Sequence, residues 1–325
     1  QPVTIRPDGT FSVTVGLQPK TNYIEIDLYR GTFLQTKTYV AVYRYMKEQS
    51  GREVYLWIEQ STNLNKYPTS QAIRNMLVKA KQAGVTAVAF PVKGHEGFAS
   101  YLHNELSGIP HISQIKDPAK AGVPSDLDVL QEFIRHCREL GLRIDAVFNV
   151  YGAGAGVDTG LTPEQFDQFE EWVYRPEDGG RIVPIRQSAY KPDVYFMNPA
   201  NEAAQQYQLR VIEEVMRHYD IDAVVLDRAR YDNIYADFSD ISRSQFEQYL
   251  ASKGKTLRNW PADVMEHRYD ENGNYTETVR GPLFLDWLTY RSSVSKSFFE
   301  KVRAKIDEIN AETGKQIRFA ISMGA

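Results

Sequence analysis

A chain of 325 residues, 42% of them hydrophobic, has the length for one large domain plus a small one and the apolar content for a sizeable core. Its formal net charge of -4, with Lys and Arg spread through the helical stretches and not gathered into a stripe, argues against nucleic acid as a partner. No apolar run is long enough to span a bilayer, and a single cysteine, Cys137, excludes an intrachain disulfide.

Residues 1–48 read as an all-β segment. Alternation over 10–15 and 23–29 marks strands, with Ile24, Ile26 and Leu28 on one side of the second, and 39–43 closes the set. Pro7-Asp8-Gly9 and residues 18–22 supply turns. Short strands in this number amount to about half of an immunoglobulin-like sandwich. The charged stretch 47–53 reads as a linker or a helical turn. From residue 54 the pattern changes to strands alternating with helices, the mark of a parallel sheet.

The first of these strands covers 54–58. A helix follows over 69–83, with Ile73, Leu77 and Ala80 on one face and Gly84 as its stop. The second strand runs over 85–92. After a long loop, Ser125 and Asp126 start a helix carrying Leu127, Leu130, Ile134 and Cys137, which Gly141 ends. Cys137 there reads as a small buried hydrophobe. The third strand covers 142–150 and leads into a long loop whose Gly152–Gly156 run, with Asp158, reads as a flexible lid. Asn198-Pro199 caps a helix burying Tyr207, Val211, Val215 and Tyr219. The fourth strand is 221–226. A short helix over 243–252 and a long one over 282–311 precede the last strand, 317–322. Five strands fall short of the eight of a closed barrel, which leaves either a (β/α)8 TIM barrel over 54–325, truncated after its fifth strand, or an open sheet; the long loops at the strand C-termini favour the barrel.

In such a barrel the residues just after each strand converge on one pocket. They are Glu59 and Gln60; Lys93, His95 and Glu96; Asn149 and Tyr151; Asp227, Arg228, Arg230, Tyr231 and Asp232; then Ser322 and Met323. Asp227 stands out, because it ends a run of apolar residues that reads as a strand buried on both faces. A carboxylate there needs a partner, and Arg228 and Arg230 are beside it. A strand-terminal Asp that caps a helix or holds an Arg is the structural alternative. Glu96, in a Gly-flanked loop, and Glu59 compete for an acid/base role. His95-Glu96 has no second His at helical spacing, so no metal motif is present and no cofactor is expected.

Several blocks resemble the bacterial glycosyl-hydrolase-like TIM-barrel proteins, often described as alpha-amylase-family proteins of Bacteroidetes. They are Tyr55-Leu56-Trp57-Ile58-Glu59, Pro91-Val92-Lys93-Gly94, Asp145-Ala146-Val147-Phe148-Asn149 and, most specifically, Val224-Val225-Leu226-Asp227-Arg228-Ala229-Arg230-Tyr231-Asp232-Asn233. The resemblance implies a secreted, periplasmic or cell-surface glycoside hydrolase acting on a poly- or oligosaccharide. Asp227 would be the nucleophile or ionised stabiliser; the resemblance leaves the partner acid unassigned, and Glu96 and Glu59 are the candidates for acid/base by their position after strands. Lys93, His95, Asn149, Tyr151, Arg228, Arg230, Tyr231 and Asp232 would line the sugar site. Relative to the alpha-amylase superfamily, Val150 stands where His would be and Val225 where Arg would be. Those departures motivate the alternative of a glycan-binding surface protein without catalysis.

Overall fold

The computed structural model describes residues 2–18, 20–44 and 53–322, so Gln1, residues 47–52 of the expected linker and Met323 lie outside the described residues. The chain divides into two compact units, Gln1–Arg52 and Glu53–Ala325. In the first, β1 (Lys20–Arg30) and β2 (Phe33–Arg44) form one antiparallel hairpin, closed by a two-residue turn in which Gly31 has φ +62°. Two long strands therefore replace the expected set of short ones. Residues 10–15 carry no strand. An isolated two-stranded ribbon has little to bury, and Tyr23, Phe33 and Tyr39 stay largely exposed.

The second unit is α/β. Its sheet has five parallel strands in the order β13-β10-β5-β4-β3, that is, chain order from one edge to the other. They are β3 (Tyr55–Trp57), β4 (Ala87–Lys93), β5 (Arg143–Asn149), β10 (Ala223–Asp227) and β13 (Arg318–Ile321). Between β3 and β4 lie the short α1 (Gln60–Asn63) and α2 (Ser70–Gln82). The helix α3 (Val129–Leu140) leads into β5. It starts three to four residues later than Ser125 and Asp126 suggested. Asp128 is the cap, accepting from the Gln131 amide at 2.9 Å, and Gly141 ends the helix at φ +62°. All residues of β4 are buried, as expected for a parallel strand covered on both faces.

The long stretch between β5 and β10 is more structured than its composition suggests. It holds β6 (Gly152–Gly154), α4 (Pro163–Phe169), β7 (Trp172–Tyr174), β8 (Ile182–Pro184) and β9 (Tyr195–Phe196), with β6 paired to β9 and β7 to β8. The helix α5 (Glu202–His218) follows, capped by Asn201 and not by Asn198. The Asn198 carboxamide is occupied elsewhere, donating to Asp237 at 2.8 Å and accepting from the Ala200 amide at 2.8 Å. After β10 come α6 (Asp240–Ala251), the hairpin β11 (Met265–Tyr269) and β12 (Tyr275–Arg280), and α7 (Phe284–Thr313).

Side chains alternate across the sheet. Val88, Phe90, Val92, Ile144, Ala146, Phe148, Val224 and Leu226 join the main core with residues of α2, α3, α5 and α7. The opposite face carries Ala89, Val147 and Val225 at its centre, with Tyr55 and Trp57 46% and 43% exposed on the β3 edge. A second, aromatic core packs Phe238, Phe246, Trp287 and Tyr290 beneath the β10 loop. Cys137 is buried, which pushes its thiol up to about 12.

Candidate active site

The C-terminal ends of β4, β5 and β10 are joined by a continuous set of contacts. Asn149 and Asp227 are register neighbours, the last residues of β5 and β10. Beyond them the Val150 amide donates to the Asp227 carbonyl at 2.8 Å and the Tyr151 amide to the Arg228 carbonyl at 3.4 Å. The loop after β4 closes on the same spot. A Cβ added to Gly152 would lie 2.5 Å from Asn149 Oδ1 and 2.8 Å from His95 Cα, so only glycine admits this approach. The Gly152–Gly154 segment expected to be a flexible lid is instead a buried strand paired with β9.

Asp227 is half-buried at the end of a fully buried run, and its carboxylate forms no hydrogen bond or ion pair with any described residue. The expected pairing with Arg228 or Arg230 is not made. The Arg228 and Arg230 guanidinium groups lie 5.9 and 5.4 Å from the Phe196 ring centroid, and Arg230 Nη1 donates to the carbonyls of Tyr231 and Asp232 at 2.9 and 2.7 Å. Arg228 itself sits at φ +46°, a left-handed conformation that a non-glycine residue holds at a cost of about 1–3 kcal/mol. Beside Asp227, the buried Asn149 Oδ1 accepts no hydrogen bond from the described residues. Asp227 thus presents two carboxylate oxygens that the described residues leave unoccupied, and Asn149 Oδ1 next to it is unpaired but buried.

Asp232, five residues after Asp227, is held in place on three sides. Its amide donates to Glu171 Oε1 at 3.2 Å, its carbonyl accepts from Arg230, and its Oδ2 accepts from Asn233 Nδ2 at 2.6 Å. Burial raises its carboxyl above the ordinary value, against the opposing charges of Arg230, Arg175 and Arg228. Sequence reading placed Asp232 among sugar-binding residues. Its surroundings include two residues from the loop after β5: Glu171, which accepts from its amide, and Arg175, whose charge opposes the effect of burial.

The two acids favoured from sequence behave differently. The side chain of Glu96 is fully buried, paired with His95 Nε2 at 3.1 Å and Lys120 Nζ at 2.9 Å. Burial pushes its carboxyl up, but the hydrogen bond and charge of His95, with help from Lys120 and Ser61, outweigh it and bring it down to about 2. A group so acidic holds no proton to deliver near neutral pH. Because its folded value lies below the unfolded one, the stabilisation it confers is complete above pH 4.5 and is lost as pH falls towards 2. Denaturant unfolding is therefore expected to lose about 3 kcal/mol across that window in the wild type. Glu96→Gln should flatten the slope there, and an unchanged slope would count against the ion pair.

Glu59 is exposed at the end of β3, accepting from Trp57 Nε1 at 3.2 Å. Three strand spacings, about 14 Å along the sheet, separate its strand from that of Asp227. Three residues expected to meet substrate do not face solvent. Tyr151 and Tyr231 are buried, the first against Phe298 and the second under the Arg291 guanidinium at 4.2 Å. Lys93 is buried with its ammonium against three backbone carbonyls. Of the residues expected to line the site with Asp227, His95, Arg228, Arg230 and Asp232 remain accessible, and Asn149 is buried. Among the described residues no group of three or more His, Cys, Asp or Glu side chains is arranged to hold a metal ion.

The sequence profile of a family described as glycosyl hydrolase-like 10 matches residues 54–322. An S-layer-related protein of Niallia circulans is 42% identical over 328 residues, covering 100% of this chain and 20% of that protein. The glycosyl hydrolase YngK of Bacillus subtilis is 25% identical over 249 residues, covering 73% of this chain and 44% of that protein. The chain thus spans less than half the length of either curated relative. Among solved structures, the PgaB (BpsB) glycoside hydrolase domain from Bordetella bronchiseptica superposes with a TM-score of 0.53 at 12% identity, over 83% of this chain and 65% of that one. The alpha-L-fucosidase isoenzyme 2 from Paenibacillus thiaminolyticus gives 0.51 at 13%, over 83% and 32%. At these identities the likeness to the solved structures is one of fold.

Proposed function

The chain belongs to the glycosyl hydrolase-like 10 family, and on that premise we propose that it hydrolyses O-glycosyl bonds of a poly- or oligosaccharide at the C-terminal ends of β4, β5 and β10. The observation that carries this reading is the unpaired, half-exposed carboxylate of Asp227 beside the free amide oxygen of Asn149. A structural Asp at a strand end would be tied to a helix N-terminus or to its neighbouring arginines, and this one is tied to neither. In the proposed mechanism Asp232 protonates the leaving oxygen as its bond to the anomeric carbon breaks, Asp227 attacks that carbon or stabilises its developing positive charge, and a water that gives its proton to the Asp232 carboxylate adds to the carbon to complete hydrolysis. Asn149, His95, Arg228 and Arg230 orient sugar hydroxyls.

The five parallel strands are read here as consecutive strands of a (β/α)8 barrel, which supports a pocket at this end of the sheet. The name of the S-layer-related relative supports a place outside the cell or at its surface. The departures from the alpha-amylase pattern at Val150 and Val225 leave the nature of the transition-state contacts to Asn149 and the two arginines. The test is release of new reducing ends from a panel of neutral, amino-sugar and cell-wall glycans. Turnover of at least one is expected. Calorimetric binding without any released product would replace hydrolysis with glycan binding on the same scaffold.

A further inference from the structure

Lys93 is the last residue of β4 and is 1% exposed. Its Nζ donates to the carbonyl oxygens of Asn149 at 2.5 Å, Val150 at 3.1 Å and Gly152 at 2.8 Å. An ammonium has three donors, and all three are used within the chain. No carboxylate lies within ion-pair distance of it among the described residues. Burial lowers its ordinary value to about 7, with the charge of Glu96 opposing. A lysine so costly to bury must be held for what it organises.

The segment it organises is the one that faces Asp227. Pulling the carbonyls of 149, 150 and 152 towards one point turns the intervening amides the other way. The Val150 and Tyr151 amides then meet the carbonyls of Asp227 and Arg228. The chain of contacts runs from the β4 ammonium, through the end of β5, to the backbone of β10 on which the Asp227 carboxylate is mounted. It also fixes Asn149, whose free Oδ1 lies against Gly152.

We propose that Lys93 is the positioning residue of this site: its buried ammonium gathers three carbonyls at the end of β5 and so sets Asn149 and Asp227 in register for catalysis, without touching the sugar. Its role in turnover rests on the hydrolase reading above, whereas its role in setting the backbone does not. A misplacement of about 1 Å at a reacting group costs about a hundred-fold in rate, so a modest relaxation here is enough to matter.

The experiment pairs two readouts on Lys93→Met, which keeps length and removes the charge. Amide hydrogen exchange at Val150 and Tyr151 is expected to accelerate at least ten-fold relative to amides in α2 and α3. On a turned-over glycan, kcat is expected to fall about 10–100-fold with KM changed less than three-fold. In Lys93→Ala, millimolar methylammonium is expected to restore part of both. Unchanged exchange at the two amides overturns the proposal whether or not any glycan is cleaved. Accelerated exchange with unchanged kcat also overturns it. If the wild type cleaves no glycan, the hydrolase reading fails and the exchange result alone decides the positioning. If neither Lys93→Met nor Lys93→Gln folds, the lysine serves the fold and not the site, and the proposal is likewise overturned.

Discussion

Asp227→Asn is expected to lower kcat on any glycan the protein cleaves by about a thousand-fold or more, with KM within a few-fold of the wild type and an unchanged melting temperature. The separation of rate from stability follows from the contacts. The carboxylate forms no hydrogen bond or ion pair with the described residues, so an isosteric amide removes none. The backbone bond that matters locally, from the Val150 amide to the Asp227 carbonyl at 2.8 Å, is untouched. What the amide cannot do is carry a negative charge towards an oxocarbenium-like carbon. If Asp227 attacks directly, Asp227→Gly in the presence of azide should recover turnover, because the small anion fills the vacated space. Wild-type turnover by Asp227→Asn would remove this residue from the mechanism and leave the site without its central group.

The strand-and-helix plan was legible because its signals are local. Apolar runs bounded by Gly84 and Gly141 marked β4, α3 and β5, and the structure places each within a few residues of the expected bounds. The elements that escaped notice lack those signals. The hairpin β11–β12 is largely polar, and only its turn, where Asp270 accepts from the Asn272 and Asn274 amides and Gly273 takes φ +80°, could have announced it. The same limit applies to the site. Position after a strand put Lys93, Tyr151 and Tyr231 in the pocket, but a strand end has two sides, and these three point into protein. Glu171 could not have been found this way. It is fully buried in the loop after β5, its carboxyl is raised by burial and by the nearby charges of Asp237 and Asp232, and it reaches Asp232 only through the fold.

That reach gives the second large effect. Asp232→Asn is expected to cost about 10^2 to 10^4 in kcat on substrates whose leaving group is a sugar, and little on a dinitrophenyl glycoside, whose leaving oxygen needs no proton. The site supplies what a general acid needs. Burial raises the Asp232 carboxyl, so its proton is retained to higher pH than on an ordinary aspartate, although Arg230, Arg175 and Arg228 pull the other way. The three bonds to its amide, its carbonyl and its Oδ2 hold the group still and leave Oδ1 to act. The active form is the protonated one, so kcat/KM should fall as pH rises past the raised value. In Asp232→Asn that alkaline limb should vanish, because the amide does not titrate. Equal losses on good and poor leaving groups would mean that Asp232 orients the sugar and protonates nothing. An alkaline limb that survives the substitution would assign the proton to another acid, and Glu59, exposed three strands away, would have to be brought to the bond by the substrate itself.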